Sequence, residues 1–307
     1  MTDDGLRVSI VVPHFQMPDA LRRCLASVLT QTLDHGRFEV IVVDNASREF
    51  PGDVAAEFPA VTFLREPSAG PGLARNTGAA AAKAPVLLFI DADCVAYPGW
   101  AQAAADAVEA DPARAIVGGD VRIGLATPPA ITPLEAYEAV FAYQQKSYIA
   151  TKNFSGTGNL AVGRAVYDAV GPFAGIDVAE DRDWGQRATA LGYRVVYEPR
   201  MIIAHPARSS FDELRRKWRR HIAHDLFSHR AGGKGPWRWR LRAAVVVASI
   251  PVHAVKVLVS GRITGWRGRV PGAGVLVRIR LWRAREMLAA ARDGAQSASH
   301  HWTQDSV

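Results

Sequence analysis

The sequence predicts an α/β protein: a mostly parallel β-sheet with helices on both faces, followed by a C-terminal helical extension that is basic and apolar. Three observations carry this. Short apolar runs of strand length alternate with stretches of helical period across residues 7–206. Two of those runs, 38–43 and 86–90, stop at an aspartate, Asp44 and Asp91. Charge is also unevenly divided: residues 1–207 hold 17 Lys and Arg against 24 Asp and Glu, a net −7, and residues 208–307 hold 20 against 6, a net +14.

The elements follow in order. Residues 7–12 read as the first strand, closed by Pro13, and Leu21, Leu25, Val28 and Leu29 recur at helical spacing after Pro18-Asp19. Residues 38–43 and 61–64 are the next two strands. Gly70-Pro71-Gly72 opens an Ala-rich helix reaching Lys83, and the run 86–90 is a buried strand, too short for a helix and without polar alternation. A helix over 100–110, a strand over 115–121 and a helix from Pro133 to about Ala150 come next. A Gly/Asn-rich stretch, 154–159, precedes a helix over 180–191 that Gly192 stops. Strands at 194–198 and 201–204 complete a first domain, 1–207.

Ligands of open α/β sheets bind at the carboxyl ends of the strands. Asp91 and Asp93, spaced i, i+2 on a turn there, offer hard oxygens to a divalent cation that could also carry phosphates; a solvated acidic turn is the competing reading. A buried carboxylate is costly without a partner, and a nucleotide diphosphate with a cation would supply one to both Asp44 and Asp91. Cys24 and Cys94 form neither a disulfide framework nor a metal-ligand spacing, and such sparse use fits a reducing cytosol. Two acids precede the first strand in place of a basic, apolar leader, so no signal peptide is expected.

The stretches Val-Val-Pro-His-Phe-Gln at 11–16, Val-Val-Asp-Asn-Ala-Ser at 42–47, Gly-Leu-Ala-Arg-Asn-Thr-Gly at 72–78, Asp-Ala-Asp at 91–93 and Glu-Asp-Arg-Asp-Trp at 180–184 resemble, in order and spacing, the motifs of family-2 glycosyltransferases. The nucleotide-binding sheet of that family is the GT-A fold. The resemblance implies a metal-dependent, inverting transfer of a sugar from a nucleotide-diphosphate donor to a hydroxyl acceptor. It places Pro13, Phe15, Asp44, Arg75, Asn76 and Asp91 on the donor side, with Asp44 on the base and Asp91 near the ribose. Asp93 would ligate Mn²⁺ or Mg²⁺, and His205 would be a further ligand or diphosphate contact, against the reading of an ordinary hydrogen-bonded histidine. Asp181 matches the general base, although acids also suit a helix start. Gly158, Asn159, Glu180 and Trp184 fall on the acceptor side; a glycine-rich turn and simple packing are the competing readings for Gly158 and Trp184. The first motif departs from the family's Pro-x-Tyr-Asn: Phe15 lacks the phenol hydroxyl. A sugar nucleotidyltransferase would need a glycine-rich phosphate loop where residues 13–16 stand. A catalytically silent binding protein of this fold would not need both acid motifs.

In residues 208–242, 11 Lys and Arg face three acids, interleaved with Trp218, Trp237 and Trp239. Residues 243–259 are almost wholly apolar, short of the roughly 20 residues a spanning helix needs. This region, 208–292, suits an anionic membrane surface, with packing on the core, spanning the membrane and nucleic-acid binding as the alternatives. No nucleic-acid motif accompanies it. A lipid-linked or cell-envelope acceptor, and a cytoplasmic protein held on the inner face of the membrane, are the matching expectations. Residues 293–307 read as a disordered tail.

Overall fold

The computed structural model describes residues 5–126, 128–176, 178–263 and 265–292; the tail 293–307 lies outside the described residues. Among them the chain forms β1 (Val8–His14), α1 (Pro18–Val28), β2 (Phe38–Asn45), α2 (Gly52–Glu57), β3 (Thr62–Glu66), α3 (Pro71–Ala81), β4 (Val86–Ile90) and a two-residue β5 (Val95–Ala96). There follow α4 (Trp100–Glu109), β6 (Ala115–Gly124), α5 (Pro133–Phe141), α6 (Gln145–Lys152), β7 (Asn159–Gly163), α7 (Arg164–Val170), α8 (Glu180–Ala190) and β8 (Arg194–Pro206). Helices α9 (Phe211–Ala231), α10 (Pro236–Ala248), α11 (Ile250–Leu258) and α12 (Trp266–Arg292) complete it.

The eight strands make one sheet in the order β3-β2-β1-β4-β7-β6-β8-β5. Its first four strands are parallel, as the βα alternation requires. From β7 the pairing changes: β7 runs antiparallel to β4 and to β6, and β5 antiparallel to β8. The sheet is therefore mixed. The switch has a local consequence, because the register Ile90↔Asn159 brings the first residue of β7 to the carboxyl end of β4, beside the acidic turn.

Side chains alternate between two cores. Ile10, Val12, Leu88 and Ile90 face one with Leu21, Leu25 and Trp100 from α1 and α4. Val11, Leu87 and Phe89 face the other with Ala79, Val166, Tyr167 and Trp184 from α3, α7 and α8. Helix α3 lies against β1 because Gly78 has no side chain: a Cβ there would collide with Val11 and press on Val43.

Two expected elements differ. The helix from Pro133 ends at Phe141, since Ala142 is extended and Tyr143 takes φ +48°, and α6 then starts afresh. Its start is well specified by a capping box between Thr132 and Glu135. Conversely, the two strands expected on either side of Pro199 are one strand, β8; β5 pairs with it only at Ile203 and Ala204, so Pro199 interrupts no bond to β5.

The chain divides into two compact units, Met1–Arg122 with Tyr143–His205, and Ile123–Ala142 with Pro206–Val307. Where the sequence suggested a single cut after residue 207, residues 123–142 group with the helical unit: Ala136, Tyr137 and Val140 of α5 share a core with Leu214, Val257, Leu276 and Ile279. Arg208 makes an ion pair with the buried Glu138 in that unit.

Gly78→Leu should lower stability by about 2–4 kcal/mol, as an overpacked helix–sheet contact does at its upper end, measured by denaturant unfolding.

Candidate active site

The carboxyl ends of β1, β2 and β4 converge, and their last residues make the site. Asp44, at the end of β2, is fully buried. Its Oδ1 lies 3.1 Å from Nδ1 of His14, the last residue of β1, while His14 Nε2 accepts the Met17 backbone N–H at 3.2 Å. Those partners fix the tautomer with the proton on Nδ1, donated to Asp44. Burial depresses the His14 pKa against the pull of Asp44, which keeps the ring neutral. Asp44 Oδ2 is buried and accepts no hydrogen bond; Arg65 Nε stands 3.8 Å away. Such an orphan acceptor is costly unless a ligand N–H meets it. Pro13 is buried inside β1 opposite Val43, and Phe15 is half-buried just beyond. Asn45 fastens the loop leading into α3, donating to Ser68 O at 2.7 Å and accepting from the Gly70 N–H at 2.8 Å. Beside these strand ends lies a cavity of about 540 Å³, lined by His14, Gln16, Arg48, Phe50 and Asp53 among others.

Just past the end of β4, Asp91 meets Arg75 of α3, which is 3% exposed and donates to Asp91 Oδ1 at 2.6 Å and to Glu180 Oε1 at 3.1 Å. Burial works against its charge, yet the two carboxylates together hold the guanidinium more firmly protonated than usual. Gly158 faces Asp91 so closely that a Cβ would collide with the carboxylate. Asp181, beside Glu180 at the start of α8, is pushed up to about 6, first by burial and then by the charge of Glu180. Its Oδ1 accepts the Arg182 backbone N–H at 2.7 Å. Burial also raises the Tyr148 phenol, with the Asp181 charge adding to it. Tyr148 stacks on Phe154, ring centroids 5.4 Å apart.

Asp93 and His205 come together from β-turn and strand end, Oδ2 to Nε2 at 3.3 Å, and the Tyr143 hydroxyl lies 2.9 Å from His205 Nε2. Cys94 donates its S–H to Asp93 Oδ1 at 3.5 Å and completes a cluster of possible metal ligands. Burial raises the Cys94 thiol well above its ordinary range and so keeps it protonated. Burial likewise raises the Asp93 carboxyl, opposed by His205. The residues fit a hard cation: neighbouring ligand atoms of an octahedral site with bonds of about 2.1 Å are about 3 Å apart, close to the Asp93–His205 separation.

Three residues expected to touch substrate do something else. Asn159 is fully buried; its Oδ1 accepts the Trp100 indole N–H at 2.8 Å, and its Nδ2 donates to Asp120 O at 2.9 Å and Met201 O at 3.0 Å. It locks β7 to its neighbours. Trp184 is 1% exposed, donates to Gly171 O at 2.8 Å and packs on Phe173, so it belongs to the core and does not wall an acceptor pocket. Asn76 accepts from Tyr167 Oη and Phe173 N, both at 2.8 Å, and donates to Phe173 O, tying α3 to the segment before α8. Sequence reasoning passed over His14, Tyr143, Cys94 and Tyr148. Only His14 and Cys94 adjoin a recognised motif; the other two sit on α6 or its approach, with no local signal.

The sequence profile of the family described as "Glycosyl transferase family 2" matches residues 9–178, more than half of the chain. The chain belongs to that family. It is a glycosyltransferase. A curated relative, the glycosyltransferase AglE of Haloferax volcanii, is 29% identical over 218 residues, spanning 69% of this chain and 71% of AglE. The succinoglycan biosynthesis protein ExoW of Rhizobium meliloti is 39% identical over 100 residues, 30% of this chain and 31% of ExoW. Among solved structures, the Pyrobaculum calidifontis mannosyltransferase PcManGT, in complex with GDP-Man and Mn²⁺, matches with a TM-score of 0.53 at 19% identity, over 97% of this chain and 79% of that one. GalNAc-T7 with UDP, GalNAc and Mn²⁺ matches with 0.51 at 18% identity, over 67% and 44%. These likenesses establish the α/β sheet as GT-A-like.

Asn159→Ala should cost about 2–4 kcal/mol, because it strands the buried Trp100 N–H and two carbonyls, and it should show as a lowered unfolding midpoint. An acceptor contact would instead have changed the acceptor KM and spared stability.

Proposed function

We propose that this family-2 glycosyltransferase moves a sugar from a nucleotide-diphosphate donor to an acceptor hydroxyl, with inversion and with a divalent cation, Mn²⁺ or Mg²⁺. The observation that carries the reading is the Asp93–His205 pair at the same sheet edge as the Arg75–Asp91–Glu180 network. Similar structures solved with nucleotide ligands and Mn²⁺ support it.

Asp93 and His205 would hold the cation, which when bound supplies Lewis-acid stabilisation to the diphosphate leaving group. The free Oδ2 of Asp44 accepts an N–H of the base, and Asp91 lies toward the ribose with Arg75 neutralising it. Asp181 takes the acceptor hydroxyl proton as the acceptor oxygen bonds to the anomeric carbon and the bond to the diphosphate oxygen breaks. Attack from the side opposite the leaving group inverts the centre. A carboxyl titrating near 6 is a stronger base than an ordinary aspartate and is still ionised at neutral pH. The acceptor class favoured by the basic, apolar second unit is a lipid-linked or cell-envelope glycan.

Donor binding is tested by thermal shift with UDP-, GDP- and dTDP-sugars, with and without Mn²⁺. A metal-dependent rise in unfolding temperature with one nucleotide, lost in Asp93→Ala, is expected; an equal rise in that variant would remove Asp93 from the metal site. Asp181→Asn should lower kcat by about 10²–10⁴-fold while leaving that shift in place. The wild-type kcat/KM should fall about tenfold per pH unit below about 6, as Asp181 takes up its proton. Because the folded-state pKa is raised, this carboxyl favours the folded state at low pH and opposes it once ionised. Asp181→Asn is therefore expected to unfold at a higher temperature than wild type at neutral pH.

A further inference from the structure

In the second unit, α10 and α11 meet at Ser249 and run on as one helical stretch, Pro236–Leu258, 23 residues and about 34 Å long. It is apolar on two sides. Trp239, Ala243, Val246 and Val257 are buried. Trp237, Leu241, Val245, Val252, Val255 and Val259 are exposed, and only 11% of the most apolar stretch is covered. At about 100° per residue the two sets fall on opposite sides of the helix. The exposed stripe also takes in Ala244, Ala248 and Pro251, and it carries no charge. Exposed basic residues border it, Arg238 and Lys256 along one side and Arg240 along the other.

A core helix would be covered on both faces, which this one is not. At 23 residues the stretch is longer than the apolar run 243–259 read from the sequence and is long enough to cross a bilayer, but its neighbour argues against spanning. Trp239 Nε1 donates to Met287 O at 2.8 Å and Arg280 Nη1 to Ser249 Oγ at 2.8 Å, so α12 runs antiparallel alongside. Between those contacts, and within one turn of them, α12 carries Arg278, Arg280, Arg283 and Arg285, which would have to enter the hydrocarbon with it. What remains is a helix lying in the plane of a bilayer. The surrounding chemistry matches: residues 208–307 carry a net +14, and exposed Trp237 and Trp266 each have an arginine over the ring, Arg238 at 5.3 Å and Arg269 at 5.7 Å. Trp and Arg at the rim of an apolar stripe place their polar ends among phosphates and their stems among acyl chains.

We propose that Pro236–Leu258 is an in-plane anchor that docks the second unit on an anionic phospholipid surface, with its exposed valine and leucine stripe immersed at the boundary between headgroups and acyl chains. The proposal is independent of the donor chemistry above.

Cosedimentation of the full chain with phosphatidylcholine vesicles, with and without phosphatidylglycerol, tests it. Binding to the mixed vesicles is expected, at least about tenfold weaker without the anionic lipid. Val245→Asp with Val252→Asp should weaken it at least about tenfold, with the unfolding temperature unchanged because both sites are exposed. Alkaline carbonate should strip the wild type from the vesicles. Equal binding by the variant, indifference to lipid charge or resistance to carbonate would each overturn the proposal. So would a lipid-free dimer that the variant dissociates without losing vesicle binding, since the stripe would then be covered by a second copy. Should the variant fail to fold, quenching of wild-type tryptophan fluorescence by brominated acyl chains is expected, and its absence overturns the proposal.

Discussion

The site depends on one buried cation. Arg75 is almost sealed from solvent, and a guanidinium in that position is tolerable only with carboxylates against it. It takes one from the end of β4, Asp91, and one from the start of α8, Glu180, which lies 105 residues along the chain from Arg75 itself. That requirement joins the parallel part of the sheet to the helix that carries Asp181. Helix α3 can deliver the guanidinium there because Gly78 lets it lie tight on Val11, and because Asn76, the next residue, is fastened to Phe173 and Tyr167. Packing and electrostatics are thus one constraint.

Burial together with the same concentration of acids explains the raised carboxyl pKa values in the site. Asp91 and Asp93 follow β4, Glu180 and Asp181 open α8, and Arg75 pairs with only two of the four. Burial first, and then the neighbouring carboxylates, raise the pKa of Asp93 and Asp181, with His205 opposing the rise at Asp93. An excess of negative charge, together with a buried Asp44 oxygen that accepts no hydrogen bond, is a poor arrangement for stability. It suits a site meant to receive a cation and hydrogen-bond donors, which is how function departs from the stability optimum.

The second unit solves a different problem. Its α10–α11 stretch buries one face and leaves another apolar face uncovered, and arginines of α12 lie over aromatic rings, Arg283 over Trp218 at 3.3 Å and Arg278 over Phe211 at 4.0 Å. Those contacts shelter cations in a unit where acids are few. The Pro236–Leu258 stripe stays exposed to solvent.

The sequence by itself determined the alternation of strands and helices, the strand-ending acids Asp44 and Asp91, and the family, because period, turn chemistry and motif spacing are local properties. It identified Asp93 and His205 as belonging together only through resemblance. Tertiary structure alone decided which polar residues face a ligand and which are structural. Asn159 and Trp184 sit in the right motifs, but their partners, Trp100, Asp120, Met201 and Gly171, come from distant segments, and hydrogen-bond satisfaction is a property of the assembled core. It also decided the antiparallel entry of β7, the break at Tyr143 that brings a hydroxyl to His205, and the grouping of residues 123–142 with the helical unit. Each of these is settled by long-range contacts, which outweigh the local preferences that a sequence displays.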